Sequence, residues 1–176
     1  FDEVSGLLLA ADVGVNSMAA LDGELLERIF NELCELEITE QLKERTVNHK
    51  QRIAEWLWDE RRGIFANRMI NGEFVSTLAP TSFFPMAAGI GSMDQAHRMI
   101  QGYLNNPSKF GGEFGLPSVT RDDPTYLDNV YWRGRIWAPL NFWVWQGLKR
   151  QGCVKEAKQL AEQSWGLFEK NWKQRL

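Results

Sequence analysis

Helical periodicity is the feature that most limits what this chain can fold into. Over residues 17–37, apolar side chains recur at steps of three and four, with charged residues between them. The apolar positions are Met18, Leu21, Leu25, Leu26, Ile29, Phe30, Leu33 and Leu36. This spacing predicts one amphipathic helix. A second helix is predicted from Thr39, a plausible capping residue, to Gly63, and the short connection makes the two an antiparallel hairpin.

Two more helical pairs are predicted further along the chain. Helical spacing does not continue through residues 63–80. Asn71-Gly72 lies there between short apolar runs and indicates a turn within a loop. A short helix is predicted over residues 81–89, and Ser92 with Gln95 forms a capping box for the next helix. The third pair covers residues 137–150 and 154–172, with Pro139 tolerable in the first turn.

Repeated helical hairpins are typical of solenoids and of closed helical rings. The segments FPMAAGIGSMDQAHRMI and WVWQGLKRQGCVKEAKQLA share a pattern: aromatic residues, a glycine, a turn, then a second helix around an alanine. Each hairpin of such a fold buries its apolar face on its neighbours. We therefore predict an all-α chain, an αα-hairpin toroid whose six helices make about half of a ring, with residues 1–176 as a single segment. Half a ring has open apolar edges, so we expect self-association.

Charge and composition exclude several kinds of partner. A net charge of −3 and a pI near 5.5 provide no basic surface for nucleic acid. No apolar run approaches the ~20 residues of a membrane span, so we expect a soluble segment without a membrane partner. Cys34 and Cys153 lie in amphipathic patterns without metal-ligand spacing, which predicts buried free thiols. Because phosphate-loop, nucleophile-elbow and dinucleotide motifs are missing, we expect neither a cofactor nor a metal.

A long loop, residues 105–135, separates the second and third helical pairs. Four glycines and three prolines interrupt any period, yet its aromatic content argues against disorder. Its charged residues are Glu113, Asp122, Asp123, Asp128, Arg121, Arg133 and Arg135. One interpretation is a loop held by ion pairs and by turn-forming aspartates, such as Asp123 before Pro124. The other is a carbohydrate cleft, because sugar sites combine aromatic faces with charged planar groups that bond hydroxyls.

The segment NVYWRGRIWAPLNFWVWQG, residues 129–147, holds four of the eight tryptophans, two arginines and no carboxylate. Its second half predicts a helix whose buried face carries Trp137, Leu140, Asn141, Val144, Trp145 and Leu148, with Trp143 and Gln146 off that face. Tyr131, Trp132 and Arg133 precede this helix in a turn, where no helical face buries them. Gly134 would allow the backbone to approach a ligand or another chain closely. We therefore expect Trp145 in the core and Trp132 in a functional role.

The quoted segments together resemble a known family. FPMAAGI, FGGEFGLPSVTRDDPTY and YWRGRIWAPLNFWVWQGLKRQG, in this order, are similar to the (α/α)6-barrel catalytic domain of family 63 glycoside hydrolases, and more distantly to trehalases. ADVGVNSM and LWDERRGIF are similar to the same group, so the resemblance covers nearly the whole chain. It implies a carbohydrate-active segment of an inverting hydrolase acting on α-glucosides or α-mannosides, with a saccharide as its partner.

The resemblance also implies roles for particular residues. An inverting hydrolase needs an acid and a base carboxylate about 6.5–9.5 Å apart. In the family these lie in segments before and after the part that this chain matches. The implied substrate-binding residues are Tyr131, Trp132, Arg133, Trp137, Asn141, Asp12 and Asn16. Tyr131 and Trp132 would contact the sugar, and the cleft would be shaped by Arg133, Trp137 and Asn141. Asp12 and Asn16 would lie near the mouth of the first inner helix. Asp128 is the local carboxylate to test as a substitute acid.

Two other functions stay open on the residues alone. A sugar epimerase or isomerase on the same toroid would need histidine or acidic groups for proton transfer. The available histidines are His49 and His97, both predicted at helix surfaces and both outside the aromatic loop. A noncatalytic helical sugar-binding or interaction module would instead use the open edges for association.

Overall fold

The computed structural model describes residues 3–4, 6 and 8–173, and within them six α-helices dominate. They are α1 (Val13–Glu32), α2 (Leu36–Trp56), α3 (Phe84–Ala87), α4 (Met93–Met99), α5 (Ala138–Arg150) and α6 (Val154–Lys173). A 3-10 turn, Pro80–Phe83, leads into α3, and a π-helical turn, Ile100–Leu104, extends α4. The predicted all-α class and the three helical pairs are confirmed.

The boundaries of the first hairpin differ from the prediction. Helix α1 begins at Val13, where the Asp12 carboxylate accepts a hydrogen bond from the Val15 N–H at 2.7 Å. It ends at Glu32 because Cys34 adopts a left-handed φ of 62°, and the Glu35 N–H then bonds back to Phe30 O at 3.0 Å. Helices that end with a left-handed residue usually have glycine at that position, so no local pattern of residues indicated this turn.

Helix α2 also differs from its predicted limits. It starts at Leu36, so Thr39 is not a cap but a buried residue of the first turn, whose hydroxyl donates to Glu35 O at 2.9 Å. The helix stops at Trp56 rather than at Gly63. Strands β2 (Trp58–Asp59) and β3 (Ile64–Phe65) pair there as an antiparallel hairpin with Trp58 opposite Phe65.

The excursion after this hairpin contains the predicted turn. Strand β4 (Arg68–Met69) pairs antiparallel with β1 (Ala10–Ala11), which brings the excursion back to the start of α1. Gly72 has a φ of 91° and its N–H bonds to Met69 O at 2.8 Å, as expected for Asn71-Gly72 in a turn. The capping box of Ser92 and Gln95 is confirmed at the start of α4.

The helices form two layers around one core. Helices α1 and α5 both pack against α3, whereas α2 packs on α1 and α6 packs on α5. The largest fully buried side chains are Phe65, Phe83, Phe110, Leu57, Ile64, Met86, Met99, Leu116, Leu148 and Leu160. On α5, Val144 and Leu148 are buried as predicted, and both Trp143 and Trp145 pack partly against the core. Trp143 was expected off that face.

The two cysteines have different environments. Cys153 is buried at the start of α6, and burial raises the pKa of its thiol. Cys34 is exposed, which contradicts the prediction of a buried thiol, because it lies in the α1–α2 turn rather than within a helix. The described part of the chain contains no helix with the length and apolar character needed to cross a bilayer.

Candidate functional site

Residues 130–133 form a tight turn that projects two aromatic side chains. Val130 and Arg133 exchange backbone hydrogen bonds at 3.0 and 2.8 Å, which leaves Tyr131 and Trp132 at the tip. Tyr131 has a φ of 44°, an uncommon conformation for a residue with a side chain. Tyr131 is 65% exposed and Trp132 is 45% exposed. The turn therefore presents apolar rings to solvent, as the sequence predicted for this segment.

Three rings of this region contact one another and form what we call the aromatic platform: Tyr131, Trp132 and Trp137. The indoles of Trp132 and Trp137 stack at 4.3 Å with a 20° angle between planes. The Tyr131 ring lies edge-on to each of them, with centroids 5.4 Å away. The Trp137 indole N–H donates to Tyr131 O at 2.9 Å, so the helix start holds the turn directly.

Polar contacts secure the base of the turn. Arg133 forms an ion pair with Asp128 at 3.1 Å, and the Arg135 guanidinium donates to Asn129 O at 2.8 Å. Gly134 has a φ of 96°, and a Cβ there would lie 2.2 Å from Tyr126 O. Only glycine fits this position, so the close approach predicted for Gly134 is to the chain's own backbone. Asp128, the proposed substitute acid, is placed as the partner of Arg133.

The buried segment 115–120 supports the platform from below. Pro117 and Ile136 are opposed as an isolated antiparallel bridge, and the Ser118 N–H donates to Arg135 O at 2.8 Å. Asn141, from the first turn of α5, is 3% exposed and bonds to the backbone of Leu116. Asn141 therefore lies beneath the platform, where it is shielded from solvent.

An open cavity of about 690 Å³ lies between the long loop and the end of α6. Its lining includes Arg121, Arg135, Asn129, Tyr126, Glu113, Phe114, Leu167 and Asn171. We call it the loop–helix cavity. Its volume is within the range of about 300–1,000 Å³ that is usual for small-molecule sites. Residues 134–136 belong both to this cavity and to the segment that carries the platform, so the two adjoin.

The aspartates at the centre of the loop hold its shape. Asp122 pairs with Lys109, and Asp123 Oδ1 accepts from both the N–H and the hydroxyl of Thr125 at 2.9 and 2.7 Å. Burial acts to raise the pKa of Asp122, but hydrogen bonds from Lys109 and Thr120 outweigh it and lower the pKa. The interpretation of these two residues as ion-pair and turn formers is confirmed.

Among the residues that the structure describes, Arg121 has no carboxylate partner. Its guanidinium donates to Gly111 O at 2.8 Å and to the Tyr126 hydroxyl, and it stacks over the Tyr126 ring at 5.3 Å. Of the three loop arginines, Arg133 is the one that forms the expected ion pair, in the part of the chain that the structure describes.

Asp12 and Asn16 belong to a second polar cluster at the start of α1. The Asn67 amide donates to Asp12 Oδ2 at 3.0 Å, and the Asn16 amide donates to Asp12 O at 2.8 Å. Asn16 Oδ1 also bonds to His49 Nε2 at 3.1 Å. Among the described residues, no hydrogen bond or ring contact joins this cluster to the aromatic platform. The structure thus separates Asp12 and Asn16 from the other predicted site residues.

His49 is half-buried between α1 and α2, which corrects the prediction of a surface histidine. Burial, followed by the charges of Arg45 and Arg52, lowers its pKa. His97 is exposed on α4 as predicted. Within residues 3–4, 6 and 8–173, no three His, Cys, Asp or Glu side chains converge in a way that could hold a metal ion.

Sequence reasoning missed Asn67 and Gly115. The Asn67 side chain bonds to both Asp12 and the Val13 N–H, the latter at 2.8 Å. A Cβ on Gly115 would lie 2.5 Å from Asn141 Oδ1. Both contacts link residues that are far apart along the chain, so no local pattern indicates them.

Comparison with known proteins places these features in a family. The chain matches the mannosylglycerate hydrolase MGH1-like glycoside hydrolase domain over residues 3–175. A cytosolic neutral trehalase of Kluyveromyces lactis is 34% identical over 118 residues, which is 64% of this chain and 15% of that protein. Mannosylglycerate hydrolase MGH1 of Selaginella moellendorffii is 29% identical over 115 residues, which is 63% of this chain and 22% of that protein.

Solved structures give the same result for the fold. The family 63 mannosylglycerate hydrolase of Thermus thermophilus, in complex with glucose, superposes with a TM-score of 0.80 at 25% identity and covers 92% of this chain. The neutral trehalase Nth1 of Saccharomyces cerevisiae superposes with a TM-score of 0.71 at 21% identity. The chain spans 40% of the Thermus thermophilus chain and 30% of the yeast one. Both neighbours are (α/α)6 toroids, and this fold is the one predicted.

Proposed function

This chain belongs to the mannosylglycerate hydrolase MGH1-like glycoside hydrolase family, and on that premise we propose that it forms one wall of the substrate cleft of a glycoside hydrolase. The observation that carries the proposal is the aromatic platform. Its rings contact one another and stay at the surface instead of entering the core. Rings held in this way offer flat apolar faces to the C–H side of a pyranose.

The residues of the platform have distinct roles in this proposal. Tyr131 and Trp132 contact the sugar, and Trp137 supports Trp132 from behind through the stack. Arg133 lies at the rim, where its guanidinium can bond sugar hydroxyls beside its ion pair with Asp128. Asp12 and Asn16 would border the mouth of the cleft at the start of α1 and contact the substrate only at its edge.

The reaction we propose is inverting hydrolysis of an α-glucoside or α-mannoside. One carboxylic acid donates its proton to the glycosidic oxygen as the C–O bond breaks, and one carboxylate takes a proton from the water that attacks the anomeric carbon. Of the described residues that line the loop–helix cavity, Glu113 alone carries a carboxylate. The catalytic pair would therefore come from other segments of the parent domain, of which this chain is one part.

The charge of the loop–helix cavity favours one type of leaving group. Arg121 and Arg135 line it, and the Lys170 ammonium lies 4.9 Å from the centre of the Phe114 ring at its edge. Cations so placed would stabilise an anionic group on the substrate. A Thermus thermophilus relative was crystallised with D-glycerate. We propose a sugar joined to a small carboxylate-bearing group as the substrate type, ahead of a neutral disaccharide.

Titration of the chain with saccharides, followed by tryptophan fluorescence, tests the proposal. We expect a millimolar dissociation constant for methyl α-mannoside or methyl α-glucoside; a value of 1 mM corresponds to a binding free energy of about −4 kcal/mol. We expect no measurable hydrolysis. Replacing Trp56, a tryptophan at the end of α2, by alanine provides the matched control, because it removes an indole that is 46% exposed and contacts Arg68 instead of the platform rings. Equal binding by a Trp132→Ala variant would contradict the proposed site, and turnover by the pure chain would contradict the missing catalytic pair.

The epimerase alternative finds no support in the positions of the histidines. The described contacts of His49 are with the α1 cluster, and His97 lies beside the α4 and α6 termini near Cys153. Neither lines the loop–helix cavity or touches the platform among the described residues. The comparisons point to hydrolases, so we retain the hydrolase proposal.

A further inference from the structure

We propose that Asn141 is a positioning residue, whose carboxamide clamps the backbone at residues 115–116 to α5 and so sets the geometry of the aromatic platform. The inference rests on the proposed function, because the platform is the sugar-binding face. The clamp itself involves only the chain's own atoms, and it can be measured without a saccharide.

The amide of Asn141 is fully used by protein partners. Its Oδ1 accepts from the Leu116 N–H at 2.7 Å, and its Nδ2 donates to Leu116 O and to Trp137 O, both at 3.0 Å. The residue is 3% exposed. A buried amide with one acceptor and two donors engaged has little left to offer a ligand, so Asn141 acts through its neighbours and not by touching substrate.

The bonding pattern explains why an asparagine occupies this position. A carboxamide has the same donor and acceptor as a peptide unit, so it pairs with both the N–H and the C=O of Leu116 as a neighbouring strand would. This lets a helix side chain take the place of a strand beside a loop. Gly115 permits the approach, because a Cβ there would lie 2.5 Å from Asn141 Oδ1.

The clamp is connected to the platform by two routes. Trp137 O, which accepts from Asn141, belongs to the residue that caps α5 and stacks on Trp132. Segment 115–118 also bonds to the strand-like stretch before α5, since the Gly134 N–H donates to Ser118 Oγ at 3.1 Å and the Ser118 N–H donates to Arg135 O at 2.8 Å. Displacing Leu116 would therefore move both the turn and the indole beneath it.

The substitution Asn141→Asp should make the clamp depend on pH. The protonated carboxyl can still accept from the Leu116 N–H and donate to one carbonyl. The ionised form would face the Leu116 and Trp137 carbonyls with acceptors alone. Burial and these carbonyls raise the pKa of that carboxyl above its unfolded value of about 3.9. The native geometry should therefore hold at low pH and be lost as pH rises through the raised pKa.

The experiment uses near-UV circular dichroism of the Trp132–Trp137 stack. The difference spectrum between each chain and its Trp132→Phe counterpart isolates the signal that needs both indoles. With Asn141 present, we expect the same difference at about pH 4 and about pH 8. In Asn141→Asp, it should persist near the lower pH and fall by at least about half near the higher one. Far-UV spectra establish that the helices are intact.

Two further variants make the result decisive. Asn48→Asp changes an exposed asparagine of α2 in the same way and should show no pH effect. Gly115→Ala forces Asn141 Oδ1 away without adding charge and should reduce the difference spectrum at both pH values. The proposal is overturned if Asn141→Asp keeps its difference spectrum at the higher pH. It is equally overturned if that variant unfolds as a whole there while Gly115→Ala keeps the native signal, since Asn141 would then stabilise the fold in general.

A saccharide titration separates this inference from the proposed function. If the clamp holds and the platform binds sugar, Asn141→Asp should bind methyl α-mannoside about tenfold more weakly near the higher pH than near the lower one. If the spectra behave as expected but no variant binds any saccharide, the positioning role stands and the proposed function fails.

Discussion

Trp132 and Trp137 stack face to face, with ring centroids 4.3 Å apart, although one lies in an exposed turn and the other starts α5. The stack connects the turn to the start of α5. It also covers one face of the Trp132 indole, while the residue as a whole stays 45% exposed. The platform is therefore a surface that the start of α5 supports.

Trp132→Ala should weaken saccharide binding without unfolding the chain. Stacked aromatic contacts contribute about 0.5–1.5 kcal/mol beyond burial, so the dissociation constant for methyl α-mannoside should rise about two- to tenfold. Because Trp132 is exposed at the tip of a turn, the midpoint of urea unfolding should change little. Fluorescence titration and urea denaturation measure the two effects, and a large fall in stability with unchanged affinity would contradict the assignment.

Gly134→Ala should disrupt the turn, because the left-handed φ of 96° and the 2.2 Å approach to Tyr126 O both exclude a Cβ. The left-handed conformation alone disfavours alanine by about 1–2 kcal/mol. We expect loss of saccharide binding together with reduced stability. Gly166→Ala is the matched control, since a Cβ there meets nothing within 4 Å. Gly166 lies in α6, where alanine should raise the free energy of unfolding by about 0.5–1 kcal/mol. Similar behaviour of the two variants would be inconsistent with this account.

The helical hairpins could be predicted because their apolar spacing is local. The hydrophobic face of residues 17–37 and the Ser92–Gln95 capping box each depend on side chains within one or two turns. The end of α1 could not be predicted, because Cys34 takes a left-handed conformation that sequence patterns associate with glycine. Strands β2 and β3 place Trp58 opposite Phe65, which lies in the core, and the two rings pack against each other. This packing outweighs the helical spacing that would have continued α2.

Glu24→Gln should lower stability at neutral pH and have little effect in acid. The Glu24 carboxylate bonds to Arg150 at 2.7 Å and to Lys50, which joins α1, α2 and α5. Burial acts to raise the pKa of Glu24, but these hydrogen bonds outweigh it and lower the pKa. A lowered folded pKa gives stability that is present above the unfolded value of about 4.3 and is lost as pH falls through the folded one. We expect a loss of about 1 kcal/mol at neutral pH.

The control for this prediction is Glu40→Gln, which removes an exposed ion pair with Lys43 inside α2 alone. Its free energy of unfolding should follow that of the unchanged chain at every pH. For Glu24→Gln, urea denaturation at a series of pH values should give a curve that converges with the unchanged chain below the folded pKa. Parallel curves would show that Glu24 contributes through packing and not through charge.

The sequence indicated the platform but not its support. Tyr131 and Trp132 could be singled out because aromatic residues in a glycine-containing turn have no helical face to enter. Trp137 was expected on the buried face of the helix, and the family resemblance alone implied a place for it in the site. The structure instead holds Trp137 half-buried at the start of α5, stacked on Trp132. The role of Asn141 could not be derived in the same way, since its partner Leu116 lies 25 positions earlier and the bonds are to backbone atoms. His49 was misplaced for a related reason: its neighbours along the helix are polar, whereas its partner Asn16 lies on α1.

The exposed apolar edges of the half-ring should make the chain self-associate. Along α6, the rings of Trp165, Phe168 and Trp172 lie in a row with neighbouring centroids 5.5 and 5.9 Å apart, and each residue is more than half exposed. Contiguous apolar surface of this kind is unusual on monomers. Light scattering at rising concentration should show a mass increasing above 20.3 kDa.

Trp165→Glu combined with Phe168→Glu should shift this equilibrium toward the monomer, because each dimer contact would bury a carboxylate without a partner. Ile70→Glu is the matched control: it places the same charge on an exposed apolar residue beside β4, away from α6, and should leave association unchanged. A constant mass of 20.3 kDa for the unchanged chain at every concentration would remove the premise that these edges associate. Equal dissociation by both variants would show that association depends on net charge and not on the α6 edge.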